Sequence, residues 1–230
     1  LPPFASMEVQ FGKRVAIIGM GNVMVDIAHW LVCHEEDVDE VVVVGRRGPD
    51  ERKWTPKEIG YIAAAFDKAD LQAKMDRIGP GLVAVGQDPA EIHKELVKYC
   101  DEPLERASNT RVTFEFLSSP LRILAGEDGR VSGLEVERNV LVAKGERIAC
   151  NATGQTDVLD VDTVVYAVGD SVDHDLGLPV GWYGFKTGPG DGDEETYGAW
   201  DGQRLEGVFL VGWARKASDG LVGKARQDAE

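Results

Sequence analysis

Cysteine is scarce in this chain, and its scarcity narrows the classes of protein to which the chain can belong. The 230 residues contain three cysteines, Cys33, Cys100 and Cys150. They form no C-x-x-C pair and no ligand-spaced cluster with histidine, so neither a metal site nor a disulfide framework is predicted. The isolated His29 and His34 are expected to pack or to lie at the surface. Isolated thiols are typical of a reducing compartment, so we expect a cytoplasmic protein with free thiols.

The chain also lacks long apolar runs and an excess of positive charge. No run approaches the roughly 20 apolar residues that a transmembrane helix needs, and no signal peptide is recognisable. Lys and Arg number 25 against 40 Asp and Glu, a formal net charge of −15 at pH 7. Nucleic-acid surfaces need clustered basic residues, so a nucleic-acid partner is not expected. The two basic pairs, Arg46-Arg47 and Arg215-Lys216, each indicate an anion site or a docking patch, with solvated surface as the alternative.

The strongest pattern in the chain is a βαβ unit between Arg14 and Arg47. The apolar run Val15–Ile18 has the length of a buried strand and leads directly into Gly19-Met20-Gly21. Apolar residues then recur near helical spacing, and a second apolar run covers Val41–Val44. A glycine turn at such a junction lets backbone approach a pyrophosphate, and the helix behind it supplies free N–H groups and the positive end of its dipole. We therefore predict a dinucleotide-binding unit.

The end of the second strand indicates which dinucleotide is bound. An NAD site requires an acidic residue there for the ribose 2′-hydroxyl, whereas this chain has Arg46 and Arg47, which suit a 2′-phosphate. Met24 occupies the position of the third glycine, so the glycine fingerprint is incomplete. The arginines nevertheless favour NADP, and the alternative is a strand that ends in two solvated arginines.

A helix start is predicted after this unit. Thr55 is expected to be the N-cap, Pro56 the first helical residue and Glu58 the third, with the helix running to about Lys68. The next stretch is expected to continue helical to about residue 77 and to break at Gly79-Pro80-Gly81. A capping role alone would explain Glu58.

The remaining pattern predicts one more helix and several strands. In chain order we expect a helix over 89–99, strands over 111–117, 120–124 and 131–142, a break at Gly154-Gln155, and a buried strand over 163–168. The turn Glu127-Asp128-Gly129 has hairpin chemistry. The fold class is therefore α/β: a Rossmann-like domain with a parallel sheet and an inserted antiparallel β-meander.

The C-terminal part predicts a second glycine junction. Residues 176–192 are expected to form a loop, and 207–211 a buried strand that leads into Gly212-Trp213, a basic turn, Gly220 and a helix. This is a second place where a phosphate or a ring system can meet backbone. The chain opens on Leu1 and closes on a helical pattern without a C-cap, so we expect a piece of a longer protein.

Three motifs resemble one family. GMGNVMVD at 19–26 looks like the turn GxGNVALD, GRRGPDERKWTPKE at 45–58 matches GRRGP…TxKE without a gap, and GWARKASDGLVGKARQD at 212–228 matches the spacing of GWxKRGPxGxIxTxxxD. Together they resemble the adrenodoxin reductase and ferredoxin–NADP reductase group of two-domain flavoproteins, relatives of the glutamate synthase small subunit. In that group an NADP domain is inserted into an FAD domain. The resemblance therefore implies an NADP-binding domain over 8–170 and an incomplete returning segment of the FAD domain over 171–230.

The resemblance also implies roles for individual residues. Arg46 and Arg47 would hold the 2′-phosphate, and Asn22 and Val23 would lie with Gly19 and Gly21 at the pyrophosphate turn. Glu58 would lie near the NADP site, and Gly212, Trp213 and Gly220 would lie against the flavin and the nicotinamide. The implied cofactors are NADP, and FAD in the full-length protein; no catalytic side chain is implied.

Several positions depart from the family pattern. Tyr61 stands where a second glutamate near the nicotinamide is usual, Ala217-Ser218 replaces Gly-Pro in the last motif, and the link at 35–39 is shorter than usual. The glutamate synthase branch usually has Gly-Asp at the position of Gly212-Trp213, which favours the reductase branch.

The implied function is hydride transfer from nicotinamide C4 of NADPH to flavin N5, with single electrons passing on to a ferredoxin-type iron–sulfur partner. The pair Arg215-Lys216 would then help to dock an acidic ferredoxin, bind phosphate, or form ordinary surface. Two alternatives stay open: a glutamate synthase-type electron-transfer subunit, and a nucleotide-binding module without turnover.

Overall fold

A four-stranded parallel sheet organises the first of two compact units, residues 1–168 and 169–230. The computed structural model of the protein describes residues 10–101, 108–145, 147–181, 184–189 and 196–216. The parallel strands are β1 (Arg14–Ile18), β2 (Glu40–Val44), β3 (Arg111–Glu115) and β7 (Thr163–Tyr166), in the order β3-β2-β1-β7. Their β-branched, apolar residues suit a sheet that is covered on both faces.

Helices cover one face of the parallel sheet. They are α1 (Asn22–His34), α2 (Pro56–Ile59), α3 (Lys68–Ala84) and α4 (Pro89–Asp101), with 3₁₀ turns at Pro49–Glu51 and Ala63–Ala65. The main core lies between these helices and the strand residues that alternate toward them, such as Val15, Val43 and Phe114. This layer holds the start of α1 against the carboxyl ends of the strands.

An antiparallel meander covers the other face. It consists of β4 (Ser118–Ala125), β5 (Val131–Lys144) and β6 (Arg147–Leu159). Leu134 and Val136 of β5 pack against Ala16 and Val42, which point away from the helices. The structure therefore confirms the predicted α/β class, the parallel sheet and the inserted antiparallel meander.

The second unit contains a two-stranded antiparallel sheet and a short helix. The strands are β8 (Gly198–Trp200) and β9 (Arg204–Phe209), the helix is α5 (Trp213–Lys216), and His174–Leu176 forms a 3₁₀ turn. Phe185, Ala199 and Leu210 form its small core. Part of the predicted strand at 207–211 is confirmed, since β9 covers 207–209, but its predicted burial was wrong, because Phe209 is 58% exposed and Val211 44% exposed. A two-stranded ribbon leaves most of its side chains accessible, unlike an interior parallel strand.

The helices after α1 begin and end at other residues than predicted. Thr55 accepts a hydrogen bond from the Glu58 N–H at 3.4 Å, as a cap should, yet α2 ends at Ile59. Asp67 then caps the separate helix α3 by accepting from the Asp70 N–H at 3.0 Å. The predicted helix to Lys68 is therefore wrong. A second strong N-cap at Asp67, aspartate being a preferred capping residue, starts the next helix where continuity was expected.

The predicted break at Gly79-Pro80-Gly81 is also wrong, because α3 runs through it to Ala84. A proline inside a helix costs about 3 kcal/mol or more. Ile78 and Leu82, on either side of it, are buried in the main core, and burying one such side chain gains about 1.5–3 kcal/mol. Tertiary burial therefore offsets a strong local breaking signal.

Gly154 does not end a strand, contrary to the prediction. It lies inside β6 with φ of +79°, at an irregularity where the pairing moves from Glu137↔Thr156 to Asn139↔Ala152. The extra β6 residues form a bulge, and bulges bend a hairpin without ending it. Beyond this bulge the hairpin reaches the main core, since Leu141 is part of that cluster.

The apolar residues of α1 include two that do not face the core. Met24, Ala28 and Leu31 are fully buried, whereas Val23 is 54% exposed and Trp30 45% exposed.

Throughout the described ranges, no helix is both long and apolar enough to cross a membrane.

Candidate functional site

The glycine turn lies where three parallel strands end. The Gly19 N–H donates to Val44 O at 2.9 Å, which joins the turn to the end of β2. Gly19 has φ of +128°, and a Cβ atom there would lie 2.2 Å from Ala167 O, beyond the end of β7. Glycine is therefore required at this position both for its backbone conformation and for the close approach of a second backbone.

The start of α1 faces open space. Gly21 is its N-cap residue in an extended conformation, and no side-chain hydrogen bond caps the helix within the described structure. A Cβ atom on Gly21 would have no described atom within 4 Å. The free N–H groups and the positive end of the helix dipole can therefore meet an anion here. Val23 is exposed beside this opening, whereas Met24, in place of the third glycine, points into the core.

Alanine substitutions at Gly19 and Gly21 are expected to have opposite effects on stability and on dinucleotide binding. We expect Gly19→Ala to lower the free energy of unfolding by about 2–4 kcal/mol, from positive φ and overpacking. Gly21→Ala should change it by no more than about 1 kcal/mol, the scale of an altered N-cap. Gly21→Ala should instead weaken dinucleotide binding about ten-fold or more, because its methyl group occupies the opening. Urea unfolding and calorimetric titration of both variants measure this; a stable, fully binding Gly19→Ala protein would contradict it.

The arginine turn lies at the same edge as the glycine turn. Ile18 of β1 pairs in register with Val44 of β2, so the two turns leave adjacent parallel strands side by side. Arg46 and Arg47 are both exposed. Among the described residues, neither guanidinium forms an ion pair with a carboxylate. Two unpaired cations beside an open helix start suit a ligand with two separate phosphates.

The segment that carries Glu58 packs beside the glycine turn. The Thr55 N–H donates to the Asn22 side-chain oxygen at 2.8 Å, and the Lys53 N–H donates to Met20 O at 2.8 Å. Asn22 therefore joins the start of α1 to the α2 segment, and half-buried Glu58 lies one helical turn beyond this junction. Tyr61 lies with its ring centroid 5.3 Å from that of His29 on α1, so it packs against α1.

Cys150 lies close to both arginines. Burial raises the pKa of its thiol, and the positive charges of Arg46 and Arg47 lower it by smaller amounts. The thiol is therefore protonated at neutral pH and can donate a hydrogen bond. Its Sγ lies 3.0 Å from Arg46 O. In the part of the chain that the structure covers, no group of three or more His, Cys, Asp or Glu residues could hold a metal ion.

The second unit contains the other predicted cofactor residues. Gly212 is buried and has φ of +57°, and Trp213, which begins α5, is 42% exposed. The Arg215 guanidinium lies 4.7 Å from the centre of the Tyr197 ring. Gly220 lies outside the described residues. The predicted role of these positions against a flavin stays a prediction.

Sequence reasoning missed four residues that contact the backbone of the arginine turn: Leu117, Ser118, Asn139 and Cys150. Asn139 gave no signal, because it shares the polar phase of the β5 alternation with Glu135 and Glu137, yet the structure buries it to 6% exposure. Cys150 and Leu117 gave no signal, because their contacts depend on the bulge and on the corner between β3 and β4.

The chain is similar to characterised NADPH reductases. It is 30% identical over 250 aligned positions to NADPH-ferredoxin reductase FprA of Mycobacterium tuberculosis, which covers 95% of this chain and 50% of that protein. It is 24% identical to the mitochondrial NADPH:adrenodoxin oxidoreductase of Salvelinus fontinalis, over 94% of this chain and 48% of that protein. No family model matches.

A solved structure supports the same relationship. The structure of Mycobacterium tuberculosis FprA in complex with NADPH matches with a TM-score of 0.65 and 29% identity, over 95% of this chain and 50% of that chain. The chain thus spans about half the length of the curated relatives described here. The fold and the spacing of the motifs are consistent with these similarities to NADPH reductases.

Proposed function

Because the chain is related to the adrenodoxin and ferredoxin–NADP reductase-like family, we propose that it is the NADP(H)-binding portion of a flavin-dependent oxidoreductase. The whole protein would pass hydride from NADPH to FAD and electrons on to a ferredoxin-type iron–sulfur partner. The names of the relatives, NADPH-ferredoxin reductase and NADPH:adrenodoxin oxidoreductase, support this reaction and this class of partner. They also favour the reductase branch over a glutamate synthase-type subunit.

One observation carries the proposal. The open start of α1 and the two arginines, which form no ion pair within the described ranges, follow Ile18 and Val44. These two residues are paired in register on adjacent parallel strands. A dinucleotide with a 2′-phosphate has two anionic groups on one ribose-containing unit, and this edge offers a separate site for each. The acidic residue that an NAD site would place after β2 is absent.

We assign roles to the residues on this basis. Gly19 and Gly21 let the pyrophosphate approach backbone, and Asn22 and Val23 border it at the start of α1. Arg46 and Arg47 bind the 2′-phosphate, which a guanidinium can grip with two hydrogen bonds. Glu58 lies beside the glycine turn, because the hydrogen bond from Thr55 to Asn22 joins its segment to the start of α1.

The division of the chain into compact units at residues 168 and 169 supports a proposal of two parts. We propose an NADP-binding domain over 8–170, which contains the parallel sheet, and a returning segment of the FAD domain over 171–230. Gly212, Trp213 and Gly220 are proposed to meet the flavin and the nicotinamide. When bound, NADPH and FAD supply the hydride and electron chemistry. The residues of this chain bind and orient; none is required as an acid or a base.

A calorimetric titration tests the proposal. We expect the chain to bind NADP⁺ about ten-fold or more tightly than NAD⁺, at least about 1.4 kcal/mol in binding free energy. Equal affinities would overturn the assignment of the arginines. No binding of either nucleotide would overturn the assignment of this chain as a formed NADP site.

A nucleotide-binding module without turnover is the second candidate. In this alternative the chain binds the nucleotide but carries no flavin. The visible absorption of oxidised flavin distinguishes the two: a yellow purified chain carries FAD, and a colourless chain that binds NADP⁺ is the module alone. The cytoplasmic location stays a prediction.

A further inference from the structure

The arginine turn is held by the inserted meander rather than by its own strand. Three successive carbonyl oxygens of the turn accept hydrogen bonds from outside it. Gly45 O accepts from the Ser118 N–H at 2.9 Å, and Arg47 O accepts from the Leu117 N–H at 3.1 Å. Arg46 O accepts from two side chains, the amide of Asn139 and the thiol of Cys150.

Asn139 is placed to fix the middle peptide of the turn. Its Nδ2 donates to Arg46 O at 2.9 Å and to Ser119 Oγ at 2.8 Å, so both of its N–H bonds are used. Its own backbone N–H donates to Leu117 O at 2.8 Å. The residue is 6% exposed, and a buried amide with every donor satisfied has one preferred orientation.

An unusual backbone conformation at Leu117 supports the hydrogen bonds to the arginine turn. Leu117 has φ of +55°, the one positive value for a non-glycine residue within the described ranges. Such a conformation costs free energy and persists only where the surroundings fix it. Here it turns the chain from β3 into β4 so that the Leu117 N–H meets Arg47 O. The bulge beside Gly154 in turn lets the β5–β6 hairpin bring Cys150 to Arg46.

We propose that Asn139 is a positioning residue for coenzyme selection, and that the meander sets the preference for NADP by holding the arginine turn. This inference rests on the proposed function of Arg46 and Arg47. Gripping a phosphate with two hydrogen bonds tolerates displacements of only about 0.5 Å and 10–20°. Without its restraints, the Arg46 peptide would move by more than these limits, and binding of NADP⁺ would weaken. Binding of NAD⁺ does not use the arginines, so its affinity would stay the same.

The test compares Asn139→Ala with Ser119→Ala in the full chain. Ser119→Ala is the matched control, because it removes the other partner of the Asn139 amide and leaves Arg46 O untouched. Calorimetry with NADP⁺, NAD⁺ and 2′,5′-ADP gives the affinities. For Asn139→Ala we expect about ten-fold weaker binding of NADP⁺ and 2′,5′-ADP, with NAD⁺ changed less than about two-fold. Ser119→Ala should retain the wild-type ratio.

A second variant keeps the test informative if Asn139→Ala does not fold. Cys150→Ala removes the other donor to Arg46 O and should lower the NADP⁺ preference in the same direction, while Cys150→Ser, which keeps a donor, should restore it. Equal losses for NADP⁺ and NAD⁺, or an unchanged preference in whichever of Asn139→Ala and Cys150→Ala folds, would overturn the inference. A wild-type chain that fails to distinguish the two nucleotides would instead overturn the proposed function.

Discussion

Replacing both Arg46 and Arg47 by alanine should weaken NADP⁺ binding by roughly 100-fold or more while NAD⁺ binding changes less than about three-fold. The two guanidiniums are exposed and, among the described residues, unpaired, so the substitution removes ligand contacts without breaking a protein ion pair. Each charge-assisted hydrogen bond contributes about 1.5–3 kcal/mol, and the loss of two gives the expected factor. Calorimetric titration with each nucleotide measures both affinities.

A charge-matched variant is the control for this prediction. Arg122→Ala with Arg130→Ala removes the same net charge from two exposed arginines of the β4–β5 hairpin, whose side chains are 70% and 81% exposed. Their loss should leave the ratio of NADP⁺ to NAD⁺ affinity unchanged. If the control variant weakens NADP⁺ as much as the double substitution at the turn, then long-range charge, and not contact with the 2′-phosphate, determines the preference.

Replacing Glu115 by alanine should lower the free energy of unfolding by about 3–5 kcal/mol, the range for breaking a buried ion pair. The Glu115 side chain is 7% exposed at the end of β3 and pairs with Lys74, Arg77 and Arg138. Removing the carboxylate leaves three cations close together. Burial lowers the pKa of Lys74, because an ammonium charge is costly to remove from water. Urea unfolding followed by circular dichroism measures the loss.

Two controls separate the ion cluster from general effects. Glu127→Ala removes an equal charge from the exposed β4–β5 turn and should change stability by no more than about 0.5 kcal/mol. Arg138 also donates to Ser118 Oγ at 2.9 Å and to Asp157 at 2.7 Å, so it joins β3 to the meander. Adding Arg138→Ala to Glu115→Ala should therefore cost less than Arg138→Ala alone costs in the wild type. A Glu115→Ala loss equal to that of Glu127→Ala would contradict the prediction.

Local patterns predicted the parts of this fold that depend on neighbouring residues in sequence. The βαβ unit is confirmed at Arg14–Ile18, Asn22–His34 and Glu40–Val44, because apolar runs and glycine turns act over a few residues. The helix at Pro89–Asp101 is confirmed for the same reason, since Asp88 accepts from the Ala90 N–H at 2.9 Å.

Predictions failed where distant contacts outweigh local propensity. Proline should have ended α3, yet the burial of Ile78 and Leu82 carries the helix through it. Gly154 should have ended a strand, yet cross-strand pairing continues on both sides of a bulge. A single residue's propensity is worth about 1–3 kcal/mol, and one or two buried side chains are enough to exceed it.

The sequence by itself determined the fold class and the chemistry of the candidate site, because glycine, asparagine and arginine at fixed spacing supply backbone access and positive charge whatever surrounds them. Only the tertiary structure decided how that site is held. Parallel pairing of Ile18 with Val44 places the two turns side by side, and Asn139, 93 residues beyond Arg46, fixes its carbonyl. Contacts over such separations arise from packing the meander onto the sheet, which no local pattern encodes.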